Sequence, residues 1–120
     1  MNKTSVTVAV ISLVVLLSSS CSKDGGGGGG TTTVDCSTVS NKAFAADVNP
    51  IIQSTCAISG CHASGSTNGP GALTSYTEIF NARTNIRSAV SSGRMPQTGS
   101  LSTSQKNSII CWIDGGAPNN

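Results

Sequence analysis

In the stretch "CAISGCH", Cys56 to His62, two cysteines stand five positions apart and the only histidine of the chain follows the second directly. Side chains of these types at this spacing can do three kinds of chemistry. The thiols can oxidise to a disulfide beside a bystander imidazole. Thiolates and imidazole can supply part of a metal site. Or the thiols can add to the two vinyl groups of a haem, with the adjacent imidazole held beneath the iron as an axial ligand. The attachment motif for haem is normally C-x-x-C-H, whereas here Ala57-Ile58-Ser59-Gly60 separates the cysteines. Ser59-Gly60 can loop out the additional residues.

The N-terminus bears on that choice through the compartment it implies. Residues Met1 to Ser20 read as an export signal: Lys3 supplies the positive charge, Val6 to Leu17 an apolar run broken only by Thr7 and Ser12, and Ser18-Ser19-Ser20 the small residues before Cys21. The run is short for a membrane span and no stop-transfer pattern follows it, so cleavage is expected. "LLSSSC" resembles a bacterial lipoprotein signal, which implies lipidation of Cys21; Leu17 sits four residues before the cysteine, where three is usual. Several acyl chains on one cysteine anchor a protein firmly. The following "SKDGGGGGGTTT" has no apolar content and reads, over residues 21–35, as a flexible tether spanning roughly 20 Å. The expected location is therefore the outer membrane, on its periplasmic face or at the cell surface. The lipid anchor supplies the membrane contact.

Export exposes thiols to oxidation, and the five cysteines divide in more than one way. If Cys21 takes lipid and Cys56 and Cys61 take haem, Cys36 and Cys111 remain to form one disulfide. Such a bond closes a loop of about 75 residues and stabilises by roughly 3 to 5 kcal/mol in the chain-entropy model. Two disulfides, Cys56–Cys61 and Cys36–Cys111, balance the count equally well. Zinc needs a fourth ligand, which a single histidine and a competing disulfide make awkward.

The elements that must position these residues lie in a folded region over residues 36–120. A domain of this size is marginal without a disulfide, metal or cofactor, and its aromatic content is only Phe44, Tyr76, Phe80 and Trp112. Four short helices can be read, and no alternating strand. Phe44, Val48, Ile51, Ile52 and Thr55 fall near helical spacing over Lys42 to Thr55, where Pro50 must kink the helix or start a second one. Ser75 and Glu78 have capping-box spacing at the start of a second helix, with Tyr76, Ile79 and Phe80 on one face. A third helix is expected over Asn85 to Ser91. The last begins at another capping box, Ser102 and Gln105, carries Ile109, Ile110, Trp112 and Ile113, and stops at Gly115-Gly116. "ASGSTNGPGA" and "RMPQTGS" read as loops.

Downstream of His62 lie two further candidates. Met95 is the only methionine besides Met1, and a thioether is a common second axial ligand of haem iron in electron carriers. It is equally the kind of residue that fills a gap at a surface edge. "NGPGAL" resembles the Gly-Pro segment of small cytochromes c, where the proline carbonyl accepts a hydrogen bond from the proximal histidine. Carried over, that acceptor is Pro70. A plain Gly-Pro turn has the same local sequence.

Taken with "DVNPIIQSTC", "RMP" and the ending "IICWIDGGAP", these features resemble the monohaem c-type cytochrome domains common in Bacteroidetes and related bacteria. The resemblance runs from Lys42 to Pro118. It implies an all-α, cytochrome-c-like fold, with the first and last helices packed across each other beside one covalently attached haem c. It implies iron ligation by His62 and Met95, and single-electron exchange with redox partner proteins. An iron saturated by two protein ligands points to a carrier and not an enzyme. The rival expectation is a cofactor-free, disulfide-stapled interaction module at the cell surface. Nucleic acid is not an expected partner: seven basic residues, one of them in the leader, face five acidic ones, without a basic patch.

Overall fold

The structure, a computed structural model, describes residues 33–120; the expected export signal, the expected lipidation site Cys21 and the expected tether up to residue 32 lie outside the described residues. Chain packing begins slightly ahead of Cys36, because Val34 already rests against the core. The described residues form one π-helical turn, Phe44–Val48, and three α-helices, α1 (Asn49–Thr55), α2 (Tyr76–Ser91) and α3 (Thr103–Asp114), with no strand. The fold is all-α.

The first helical segment changes its hydrogen-bond register at the proline. Val48 N–H donates to the Ala43 carbonyl and Asn49 N–H to that of Phe44, both five residues back. Pro50 then enters α1 in its first turn. It has no N–H to continue the ladder, so the chain passes there from five-residue to four-residue bonds. The start of the segment is capped from two directions. The Asp47 carboxylate accepts from Ala43 N–H at 2.9 Å, while Asn120 accepts from Phe44 and Ala45 N–H at 2.9 and 2.7 Å.

The second and third helices expected from the sequence are a single helix. Asn81, Arg83, Thr84 and Asn85 interrupt the apolar pattern, but no glycine or proline lies within Tyr76–Ser91 to break the backbone. The capping box at its start is complete: Ser75 Oγ accepts from Glu78 N–H, and Glu78 Oε2 accepts from Ser75 N–H at 2.9 Å. Ser102 and Gln105 cap α3 in the same reciprocal way.

The core lies where the π-helical turn, α2 and α3 meet. Val48, Ile52, Ile79 and Ile109 are fully buried, and each such side chain stabilises by about 1.5–3 kcal/mol relative to exposure. All four aromatic residues form one cluster. Phe44 meets Tyr76 edge-on at 5.0 Å and Trp112 at 5.3 Å, and Tyr76 meets Phe80 at 5.6 Å. Trp112 Nε1–H donates to the Pro118 carbonyl and Tyr76 O–H to that of Ala117, so the residues after α3 are folded back onto the cluster. Cys36 and Cys111 are joined in a disulfide with Cα atoms 5.3 Å apart, which fastens the start of the domain to α3. Among the described residues no helix is long and apolar enough to cross a membrane.

Candidate functional site

The segment from Cys56 to His62 is a closed loop built from the end of α1. Cys56 and Ala57 N–H both donate to the Ile52 carbonyl, at 2.8 and 2.9 Å, which ends the helix. Cys61 N–H then donates to Ile58 across a tight turn in which Gly60 has φ +80°, a left-handed conformation that favours glycine. His62 N–H returns to the Cys56 carbonyl at 3.0 Å. The four-residue spacer is thereby looped out, and His62 is tied to the backbone of Cys56.

The next loop fixes the imidazole. Leu73 N–H donates to the His62 carbonyl at 2.9 Å, and His62 Nδ1 lies 2.9 Å from the Gly71 carbonyl oxygen. A carbonyl can only accept, so Nδ1 carries a proton, and in the neutral imidazole the lone pair is on Nε2. The acceptor is thus Gly71, one residue beyond the Pro70 carbonyl expected from the sequence. The Leu73–His62 bond sets the register, and at that register the carbonyl two residues back meets the ring. Asn68 braces the same loop, its Nδ2 donating to Gly60 and Cys61 carbonyls at 3.0 Å each. Ser66 Oγ–H adds a 2.5 Å bond to Cys61.

Met95 reaches the site from the other end of α2. After Ser91 the chain turns at Gly93 (φ +72°), and Met95 N–H donates back to the Ala89 carbonyl at 3.2 Å. This holds the start of the "RMPQT" loop against the last turn of α2.

Between these segments lies a cleft of about 570 Å³. Its apolar lining is aliphatic: Ile52 from α1, Leu73 from the loop, and Ile86, Ala89 and Val90 from α2. Cys56, Cys61, His62, Pro70 and Met95 all line it as well. Of the residues singled out in the sequence, these five come together, Cys36 and Cys111 pair elsewhere, and Cys21 lies outside the described residues. The structure joins Cys36 to Cys111 and leaves Cys56 and Cys61 as free, partly buried thiols. Nor do three His, Cys, Asp or Glu side chains converge on one point among the described residues, as a zinc site requires. Burial raises the Cys56 thiol above its ordinary pKa, the neighbouring Thr55 hydroxyl opposes that rise, and Cys61 adds to it. The Cys56 sulfur is therefore a protonated thiol at neutral pH.

These residues fit a haem c. The cleft has the size of a cofactor pocket, about 300–1,000 Å³, and an aliphatic lining for a flat apolar body. It also offers two unpaired thiols, an imidazole with Nε2 available, and a thioether. The carbonyl at Nδ1 is the kind of outer partner that orients a ligating histidine and raises its basicity. The residues missed in the sequence are Gly71, Asn68 and Arg94, the last of which also lines the cleft. Only Gly71 had a signal, its place directly after Pro70. Comparison with family models, with curated proteins and with solved structures gives no match.

Proposed function

We propose that this protein is an exported, lipid-anchored monohaem c-type cytochrome that carries single electrons between redox partner proteins. The observation that carries this reading is the convergence of Cys56, Cys61, His62 and Met95 on one aliphatic cleft, with His62 Nδ1 already committed to a carbonyl. Cys56 and Cys61 would hold the cofactor through thioethers, and His62 Nε2 and Met95 Sδ would supply the donors to its iron. When bound, the haem supplies a reversible one-electron couple at iron. The chain's own residues set its character. His62 is kept in one tautomer by Gly71, and the aliphatic wall excludes water from the apolar body. A thioether donor together with an imidazole would raise the potential relative to two imidazoles. With His62 and Met95 both bound to the iron, no position would remain for a substrate, and transfer of electrons would be the role left to it.

The test is a visible spectrum of the full-length chain produced with haem c maturation machinery. The expected result is a sharp Soret band and a reduced α-band that survive denaturation and acid extraction, as thioether linkage requires. A colourless protein would reject the reading in favour of a cofactor-free interaction module.

A further inference from the structure

Arg94 is the only lysine, arginine, aspartate or glutamate among the residues lining the cleft. It stands directly before Met95 and is exposed. Among the described residues its guanidinium has neither a hydrogen-bond nor an ion-pair partner, the one ion pair being Arg87–Asp114. Asn85 on α2 and Gln97 and Thr98 on the same loop also line the cleft with exposed side chains. The lining is therefore divided: aliphatic residues are buried, while uncharged donors and one cation remain in contact with water. No acidic side chain is present to oppose that cation.

A cleft of this kind suits a ligand with an apolar body and an anionic edge. The body covers the aliphatic wall. The anion stays partly hydrated beside the guanidinium, which avoids the cost of burying a charge. An arginine fork matches a carboxylate in a bidentate manner that an ammonium cannot reproduce.

We propose that Arg94, with Gln97 and Thr98, is the subsite for the carboxylate edge of the porphyrin. It fixes which edge of the cofactor faces the loop, and its charge favours the reduced iron. This rests on the haem reading above. Reduction removes one positive charge from the iron, so a nearby fixed cation stabilises the reduced form relative to the oxidised one. Because Arg94 is exposed, solvent and salt weaken that effect.

The experiment compares full-length wild type with Arg94→Gln and Arg94→Lys, each made with the haem maturation machinery and poised at one fixed applied potential. In Arg94→Gln the ratio of reduced to oxidised protein should fall about two- to five-fold, the range of an exposed charge pair. Its methionine-to-iron charge-transfer band should persist. Arg94→Lys should recover part of the ratio, and added salt should narrow the gap between wild type and Arg94→Gln. An unchanged ratio in Arg94→Gln, or a lysine variant no better than the glutamine, overturns the subsite while leaving the haem reading intact. Loss of the methionine band in both variants also overturns it, because Arg94 would then only be holding the loop. A wild-type protein without haem bands removes the haem reading and the subsite together.

Discussion

At the scale of single residues, carrier and enzyme differ by one sulfur. Met95 lines the same cleft as His62, and its backbone is held by the bond to Ala89. If its thioether completes the iron's coordination, Met95→Ala should abolish the weak near-infrared methionine-to-iron band and lower the midpoint potential. It should also let carbon monoxide bind the reduced protein. Wild type that already binds carbon monoxide readily would instead mean an open coordination position, and catalysis or gas sensing would displace electron transfer. Most of this cleft's lining was legible in the sequence because its candidate ligands are rare residues: one histidine, one methionine besides Met1, and two cysteines beside the histidine. What was not legible is backbone chemistry. The carbonyl at His62 Nδ1 belongs to Gly71 and not Pro70 because of where Leu73 N–H bonds, and no side-chain identity encodes that register. Arg94 was likewise invisible as a cleft residue. An exposed arginine beside a proline has no pattern that tells which cavity it borders.

At the scale of elements, the ends of helices were easier to read than their middles. Both capping boxes occur where Ser-x-x-Glu and Ser-x-x-Gln stand, since a cap is decided by a few adjacent side chains and their own backbone. Continuity of α2 was missed because the polar run Asn81 to Asn85, Ala82 apart, suppresses the apolar period without destabilising the helix. The π-helical turn before Pro50 is a compromise between a proline and the packing of Phe44 and Val48, both buried, which local propensity does not report. The α3 cap is the cleaner one to test, as it lies apart from the cleft residues. Ser102→Ala removes the acceptor for Gln105 N–H and should cost about 1 kcal/mol, within the roughly 0.5–2 range for such caps. Denaturant unfolding would measure it, with the midpoint lowered and the slope unchanged. A cost near zero would mean that α3 is held entirely by its buried face and the disulfide at Cys111.

At the scale of the whole molecule, a domain of this size has little core to spare, and its aromatic rings are committed to one cluster away from the cleft. Two covalent constraints would compensate, and they act on different terms. Thioethers at Cys56 and Cys61 would close only a short span of chain and so would remove little unfolded-state entropy; a haem there would stabilise by filling the aliphatic cleft. The Cys36–Cys111 bond joins residues 75 apart and acts chiefly on the unfolded chain, by roughly 4 to 5 kcal/mol in the chain-entropy model. The two contributions should therefore be close to additive. Replacing both Cys36 and Cys111 with serine should lower unfolding stability by about that amount, while leaving the Soret, α and methionine bands at their wild-type positions, since neither cysteine lines the cleft. Reduction of the wild-type disulfide should give the same loss. If the bands shift together with stability, the bond between the start of the domain and α3 is also setting the shape of the cleft. In that case α3, through its contact with α2, would have to be counted among the elements that position the site.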